Sequence, residues 1–228
     1  MDYRLLLFDL DETLYPIGSK LWDEISNRMG EYMVQHLHFH PDDVHTIRRS
    51  YFETYGTTLR GLQLHHQIDA LDFLKYVHDI PLEQFLNPDG ELRPLLRSLP
   101  QRKWICTNAD ARHAWRVLHF LGIEDCFDGI MDIVAADFIP KPSPDFYSHA
   151  IRLAGEPDFK ACVLFDDLSK NLAPARSLGM TTVLVRPGVQ NDPSANLSIA
   201  SLHSLPQFFP ELWRNGIDSL QVFSTLDR

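Results

Sequence analysis

The stretch FDLDETLY, residues 8–15, decides how this sequence is read. The apolar run RLLLFDL (4–10) predicts a strand, and it empties into two aspartates, Asp9 and Asp11, separated by one leucine. Ionised carboxylates at the mouth of a buried strand are poorly hydrated, so they need a cationic partner. Other apolar runs lead to polar groups in the same way. KWICTNA (103–109) carries Thr107 and Asn108, IMDIVAA (130–136) is followed by Lys141-Pro142, and CVLFDD (162–167) closes on Asp166 and Asp167. With TTVLVR (181–186) and LSIASL (197–202), these runs predict strands, several apolar on both faces, as in a parallel sheet covered by helices on each side.

Helical patterns stand between the strands, and Gly122, Gly155 and Gly179 supply stop signals behind three of them. Leu205, Phe208, Phe209, Leu212 and Trp213 predict one more apolar helical face, in the core or at an interface. The sum is a doubly wound, Rossmann-like α/β domain. Between the first two strands roughly ninety residues show helical periodicity and no convincing strand, too many for a structureless loop. We therefore expect a core built from 1–15 and 86–212, an inserted helical subdomain over 16–85, and a C-terminal extension at 213–228. Three helices are expected in the insert: one from near Ser19, one after Pro41, and one carrying Ile68, Leu71, Leu74 and Val77.

Composition narrows the function. A net charge of −10 argues against a nucleic-acid polymer or an anionic membrane as partner. No stretch reaches transmembrane length, the first apolar run is too short for a signal peptide, and the three cysteines lack metal or disulfide spacing. The expectation is a cytoplasmic protein, monomer or homodimer. His36, His38, His40, His65 and His66 read as solvated residues of the insert.

Ligands of open α/β sheets bind beyond the carboxyl ends of the strands. There, if the strands are parallel neighbours, Asp9, Asp11, Asp166 and Asp167 converge, and their mutual repulsion calls for a divalent cation. Oxygen donors without thiolates or paired imidazoles favour Mg2+, which completes its shell with water and phosphate oxygens. A phosphate ester fits such a site. One aspartate can attack phosphorus, and the other can protonate the leaving alkoxide. Thr107, Asn108 and Lys141 can hold the phosphoryl oxygens.

The four motifs, Asp9-Leu10-Asp11-Glu12-Thr13, Thr107-Asn108, Lys141-Pro142 and Phe165-Asp166-Asp167 with Asn171, resemble those of the haloacid dehalogenase-like (HAD) hydrolase superfamily, in order and in strand context. The resemblance implies Asp9 as nucleophile and metal ligand, and Asp11 as general acid/base that also binds metal through its carbonyl. It implies Thr107, Asn108 and Lys141 as phosphoryl-binding, Asp167 as a metal ligand, Asp166 as its support, and the insert as a C1-type cap. Dehalogenases of the superfamily lack the second aspartate and P-type ATPases have threonine there, so Asp11 points to a phosphatase or phosphomutase. Asp-Glu-Thr-Leu-Tyr-Pro and Tyr55–Leu62 resemble the pyrimidine 5′-nucleotidase branch. On that resemblance the second stretch is a specificity loop between two helices, Arg60 contacts the leaving group, and Tyr15 flanks it. Thr13 is expected to fix the aspartate turn by hydrogen bonding. The alternatives to nucleotide hydrolysis are a phosphomutase, a sugar-phosphate phosphatase, or a non-catalytic phosphate-binding regulatory module.

Overall fold

A computed structural model describes residues 2–214. The core sheet comprises β1 (Leu5–Phe8), β2 (Arg102–Cys106), β3 (Gly129–Met131), β4 (Cys162–Asp166), β5 (Thr181–Val185) and β6 (Leu197–Ile199), all parallel, in the order β3-β2-β1-β4-β5-β6. The helices are α1 (Leu21–Leu37), α2 (Pro41–Tyr55), α3 (Thr58–His66), α4 (Ala70–Val77), α5 (Leu92–Ser98), α6 (Ala111–Leu121), α7 (Pro144–Leu153), α8 (Ser169–Ser177) and α9 (Leu205–Phe208).

The central strands are apolar on both faces because both faces are covered. Leu6, Phe8, Val163 and Phe165 pack on one side with Leu96 of α5 and Val117 of α6. Leu5, Leu7, Cys162 and Leu164 pack on the other with Phe146 of α7 and Leu172 of α8. Alternation along each strand thus feeds two cores, and Phe8 stacks on Phe165 across the β1–β4 pair at 4.5 Å. The chain moves outward from β1 through β2 to β3, then crosses back to place β4 on the other flank of β1. That reversal of strand order opens a crevice at the ends of β1 and β4, where the two aspartate motifs lie.

Helices α1–α4 form a second unit with its own apolar cluster, including Tyr32, Met33, Leu62, Phe73 and Val77. Four helices replace the expected three. Thr57 accepts the Arg60 amide through Oγ1 at 3.1 Å, capping a helix that begins at Thr58, so the stretch 55–62 is a short turn followed by helix instead of a loop. The third strand is also shorter than expected. After Met131 the chain folds into a tight turn in which Asp132 accepts the Ala135 and Ala111 amides, which draws residues 132–138 out of the sheet.

The predicted C-terminal helix breaks in two at Pro210, giving α9 and a 3-10 turn over Pro210–Trp213. Its Leu205, Phe209 and Leu212 still join the core, whereas Phe208 is exposed. The expected C-terminal extension lies almost wholly outside the described residues. Among the described residues no helix is long and apolar enough to cross a membrane.

Candidate active site

Asp9 follows directly on β1, and its amide donates to Phe165 O at 2.8 Å, as if the ladder with β4 continued one step past the strand. Glu12 then adopts a positive φ of 61°, turning the chain sharply at the crevice mouth. Lys141, fully buried, bridges two carboxylates, with Nζ 2.8 Å from Asp9 Oδ1 and 2.7 Å from Asp166 Oδ2. A buried ammonium is tolerated because both charges hold it, and they keep its pKa above the usual lysine range against the opposing effect of burial. Burial pushes Asp9 up to about 7, with Lys141 opposing and Asp166 adding to the shift. Burial likewise pushes Asp167 up to about 8, reinforced by Asp9 and Asp166.

Asp9, Asp166 and Asp167 each offer a carboxylate oxygen, all within 4.8 Å of one another. Their surroundings differ. Asp166 is committed to Lys141, to Asn171 Nδ2 at 2.9 Å and to the Leu168 amide at 2.9 Å. Asp167 lines the cavity beside Asp9 and Asp11. The donor set is all oxygen and carries excess negative charge, which suits a hard divalent cation such as Mg2+. Asp167 and Asp9 are the carboxylates placed to reach one, with Asp166 holding Lys141 behind them.

Asp11 sits in a different environment. The Tyr15 hydroxyl donates to its Oδ1 at 2.7 Å, and His113 Nε2 lies 3.2 Å from the same oxygen. A carboxylate only accepts, so the His113 contact requires the proton on Nε2. Burial alone would raise the Asp11 pKa, but His113, Tyr15 and His78 outweigh it and hold the pKa below the usual carboxylate value. The His113 ring stacks on His78 at 4.2 Å, and His78 Nδ1 in turn lies 2.6 Å from Asp110 Oδ2. His78 follows α4, and Arg116 donates to the His78 and Ile80 carbonyls, pinning the chain returning from the helical insert onto α6.

The remaining motif residues divide between cavity and scaffold. Thr107 and Asn108 both line the cavity. Thr107 Oγ1 accepts the Ala109 amide at 3.0 Å. The Asn108 side-chain amide is spent on Lys141, donating to its carbonyl at 3.1 Å and accepting its amide at 2.8 Å, so it positions the lysine. Thr13 departs from expectation: its hydroxyl is buried without a hydrogen-bond partner among the described residues. Tyr15 is buried against Asp11 and is not on the cavity wall. Arg60 is not on that wall either. Helix α3 presents Thr58 and Leu59 to the cavity, and the next residue is turned about 100° away.

The cavity measures 480 Å³, within the range of roughly 300–1,000 Å³ typical of small-molecule sites. It runs from Asp9 and Asp11 to the inner surface of α1, α2 and α4. The insert is seated closely on the core. Gly56, at φ +88°, leaves a Cβ position only 2.8 Å from the Lys141 carbonyl, and Lys170 Nζ lies 2.9 Å from the Phe52 ring centroid.

Residue-by-residue reading missed His113, His78, Asp110 and Arg48. A signal existed for His113: it falls on the apolar stripe of α6 with Ala114, Val117 and Leu121, just beyond the Thr107-Asn108 motif. A histidine on that stripe so near the crevice needs a polar partner, and Asp11 is that partner. The histidines expected to be solvated, His36, His38, His40, His65 and His66, are exposed.

Comparison with known proteins agrees with this geometry. A family model described as haloacid dehalogenase-like hydrolase matches residues 3–179. "Phosphate metabolism protein 8" of Saccharomyces cerevisiae is 32% identical over 195 residues, 79% of this chain, and the chain spans only 61% of that relative's length. "Glyceraldehyde 3-phosphate phosphatase" of Methanopyrus kandleri is 26% identical over 83% of this chain and 86% of its own. The crystal structure of a HAD phosphatase from Thermococcus onnurineus superposes with a TM-score of 0.61 at 20% identity, covering 90% of this chain and 96% of its own. Matched over most of its length, with four strand ends converging on one crevice, this chain belongs to the haloacid dehalogenase-like hydrolases.

Proposed function

We propose that the protein is a magnesium-dependent phosphomonoester hydrolase that works through an aspartyl-phosphate on Asp9, with a pyrimidine nucleoside 5′-monophosphate as the leading substrate. The observation that carries the reading is the pairing of Asp9, in contact with Lys141, with a separately held second carboxylate, Asp11. Haloacid chemistry has no alkoxide to protonate, whereas phosphate-ester cleavage needs an acid at the leaving oxygen.

Asp9 attacks phosphorus and the ester bond breaks, leaving the phosphoryl group on its carboxylate. Asp11 is ionised in the free site, so it first takes up a proton, which the phosphate anion entering beside it favours. Oriented by Tyr15 and His113, it then gives that proton to the departing oxygen and later takes one from the water that hydrolyses the acyl phosphate. Lys141 neutralises the nucleophile's side of the site, with Thr107 at the cavity wall beside it. Asp9 and Asp167 would hold a magnesium ion, which would supply charge neutralisation for the phosphoryl oxygens. The apolar inner surface of the helical insert encloses the leaving group and limits access of bulk water.

A sugar phosphate is the second reading, favoured by the name of the archaeal relative, a triose-phosphate phosphatase. A phosphate-release screen over UMP, CMP and sugar phosphates with Mg2+ tests both. Turnover that survives Asp9→Asn, or that persists in excess chelator, refutes the mechanism.

A further inference from the structure

The inner surface of the helical insert carries a guanidinium that forms no ion pair among the described residues. Arg48 of α2 lines the same cavity as Asp9 and Asp11. Its Nη2 donates to Ser26 Oγ at 2.7 Å and lies 3.7 Å from Met29 Sδ, so α1 fixes the side chain. Its Nε is shut off from solvent with no hydrogen-bond partner among the described residues, which leaves Nη1, accessible and without a hydrogen bond among those residues, as the donor open to a ligand. The adjacent Arg49 also lines the cavity, but its side chain is exposed and paired with Glu53 at 2.8 Å. Burial, with no carboxylate opposing it, lowers the Arg48 pKa from its ordinary value.

Arginine offers donors only, and a partly desolvated guanidinium short of acceptors is unfavourable, so one on a cavity wall is set for an acceptor that arrives with the ligand. Trp22, Met29, Phe52 and Phe73 make much of the insert's wall apolar and aromatic, with Ser26 and His45 as polar side chains beside Arg48. Arg48 therefore has a defined place in the cavity: it belongs to the insert, while the phosphoryl-binding groups belong to the core. We propose that Arg48 is the leaving-group receptor of this enzyme, and that its substrates are phosphomonoesters whose leaving group presents an oxygen acceptor, carbonyl or anionic, to the Arg48 guanidinium. The inference rests on the phosphatase reading and goes beyond it, because it assigns selectivity to a residue outside the family motifs.

The test compares the full chain with Arg48→Met and Arg48→Lys on three esters in Mg2+. Phenyl phosphate has no acceptor on its leaving group, UMP has ring carbonyls, and a hexose bisphosphate has a second anion. Arg48→Met is expected to lower kcat/KM for one acceptor-bearing ester by roughly tenfold or more beyond its effect on phenyl phosphate, mainly through KM. The ester that loses most identifies the source of the acceptor. Arg48→Lys restores the bisphosphate if the acceptor is a point anion and fails to restore UMP if two donors are used. Equal losses on all three esters, or no loss on any, overturn the proposal. The leaving groups are also titrated into the Asp9→Asn protein as uridine and as a hexose monophosphate, with and without Arg48→Met. Should the unmodified protein hydrolyse none of the esters, the phosphatase reading fails by itself. A loss of uridine or hexose-phosphate affinity on Arg48→Met then still supports the receptor, and unchanged affinity for both refutes it.

Discussion

Replacing His113 removes one of two hydrogen bonds that orient the Asp11 carboxylate, and the structure sets the size of the effect. The His113 contact is 3.2 Å long, against 2.7 Å for the Tyr15 hydroxyl on the same oxygen. Hydrogen bonds to charged groups contribute about 1.5–3 kcal/mol, and one of this length belongs at the lower end. About 1.5 kcal/mol corresponds to at most roughly tenfold in rate through misplacement of Asp11 in the proton-transfer transition state, because loss of His113 also raises the Asp11 pKa and so favours its acid form. That loss falls on esters that need the proton. Uridine leaves UMP as an alkoxide, so UMP should lose up to about tenfold in kcat/KM, whereas p-nitrophenyl phosphate releases a stable phenolate and should lose less than about threefold. The ratio kcat/KM is the quantity to read, because it ends at departure of the leaving group and excludes the later hydrolysis of the phosphoenzyme. His113→Ala also opens a hole under the His78 ring, so His113→Gln, whose amide can donate to Asp11, serves as the rescuing variant, with thermal melts run alongside. Equal losses on both esters, with glutamine no better than alanine, would show that His113 only packs, and the proposed role for the network would be wrong.

Three further outcomes are expected. Lys141→Met leaves Asp9 and Asp166 facing each other without their shared cation, so it should destabilise the protein by about 3–5 kcal/mol in chemical denaturation and abolish phosphate release. Gly56→Ala places a methyl 2.8 Å from the Lys141 carbonyl at a φ of +88°; about 1–2 kcal/mol of backbone strain plus displacement of the insert should lower kcat/KM, and unchanged kinetics would refute the close fit. Magnesium should raise the melting temperature more at pH 8.5 than at pH 6. Asp9 at about 7 and Asp167 at about 8 hold protons when folded that they release near pH 4 when unfolded, so proton binding favours the metal-free folded state below pH 7. That stabilisation is lost as pH rises through 7 to 8, where the cation replaces the protons, and a metal-induced shift independent of pH would contradict it.

Much of this molecule is legible in its sequence because the signals are local. A strand apolar on both faces declares a covered parallel sheet, and β1 and β4 read that way from Leu5–Phe8 and Cys162–Asp166 alone. The order of four polar breaks then names the ends of the strands, and Asp9, Asp166 and Lys141 do meet there. The readings that failed depended on contacts distant in sequence or on local caps. Thr57 turned an expected specificity loop into helix, Pro210 split an expected helix, and Arg60 left the cavity wall to Arg48. Asn108 kept its place but spends its amide on the Lys141 backbone.

The sequence by itself determined which groups are available: Asp9, Asp11, Asp166 and Asp167 at or just past the ends of two strands, and Lys141 in the segment that follows a third. Only the tertiary structure decided which groups tune and select. His113 reaches Asp11 across 102 positions of chain, His78 reaches Asp110 across 32, and Arg48 shares a cavity with the aspartates only because the insert folds over the crevice. Periodicity records which face of an element is buried. It does not record what lies against that face, and here that is what sets the Asp11 proton and the unpaired guanidinium.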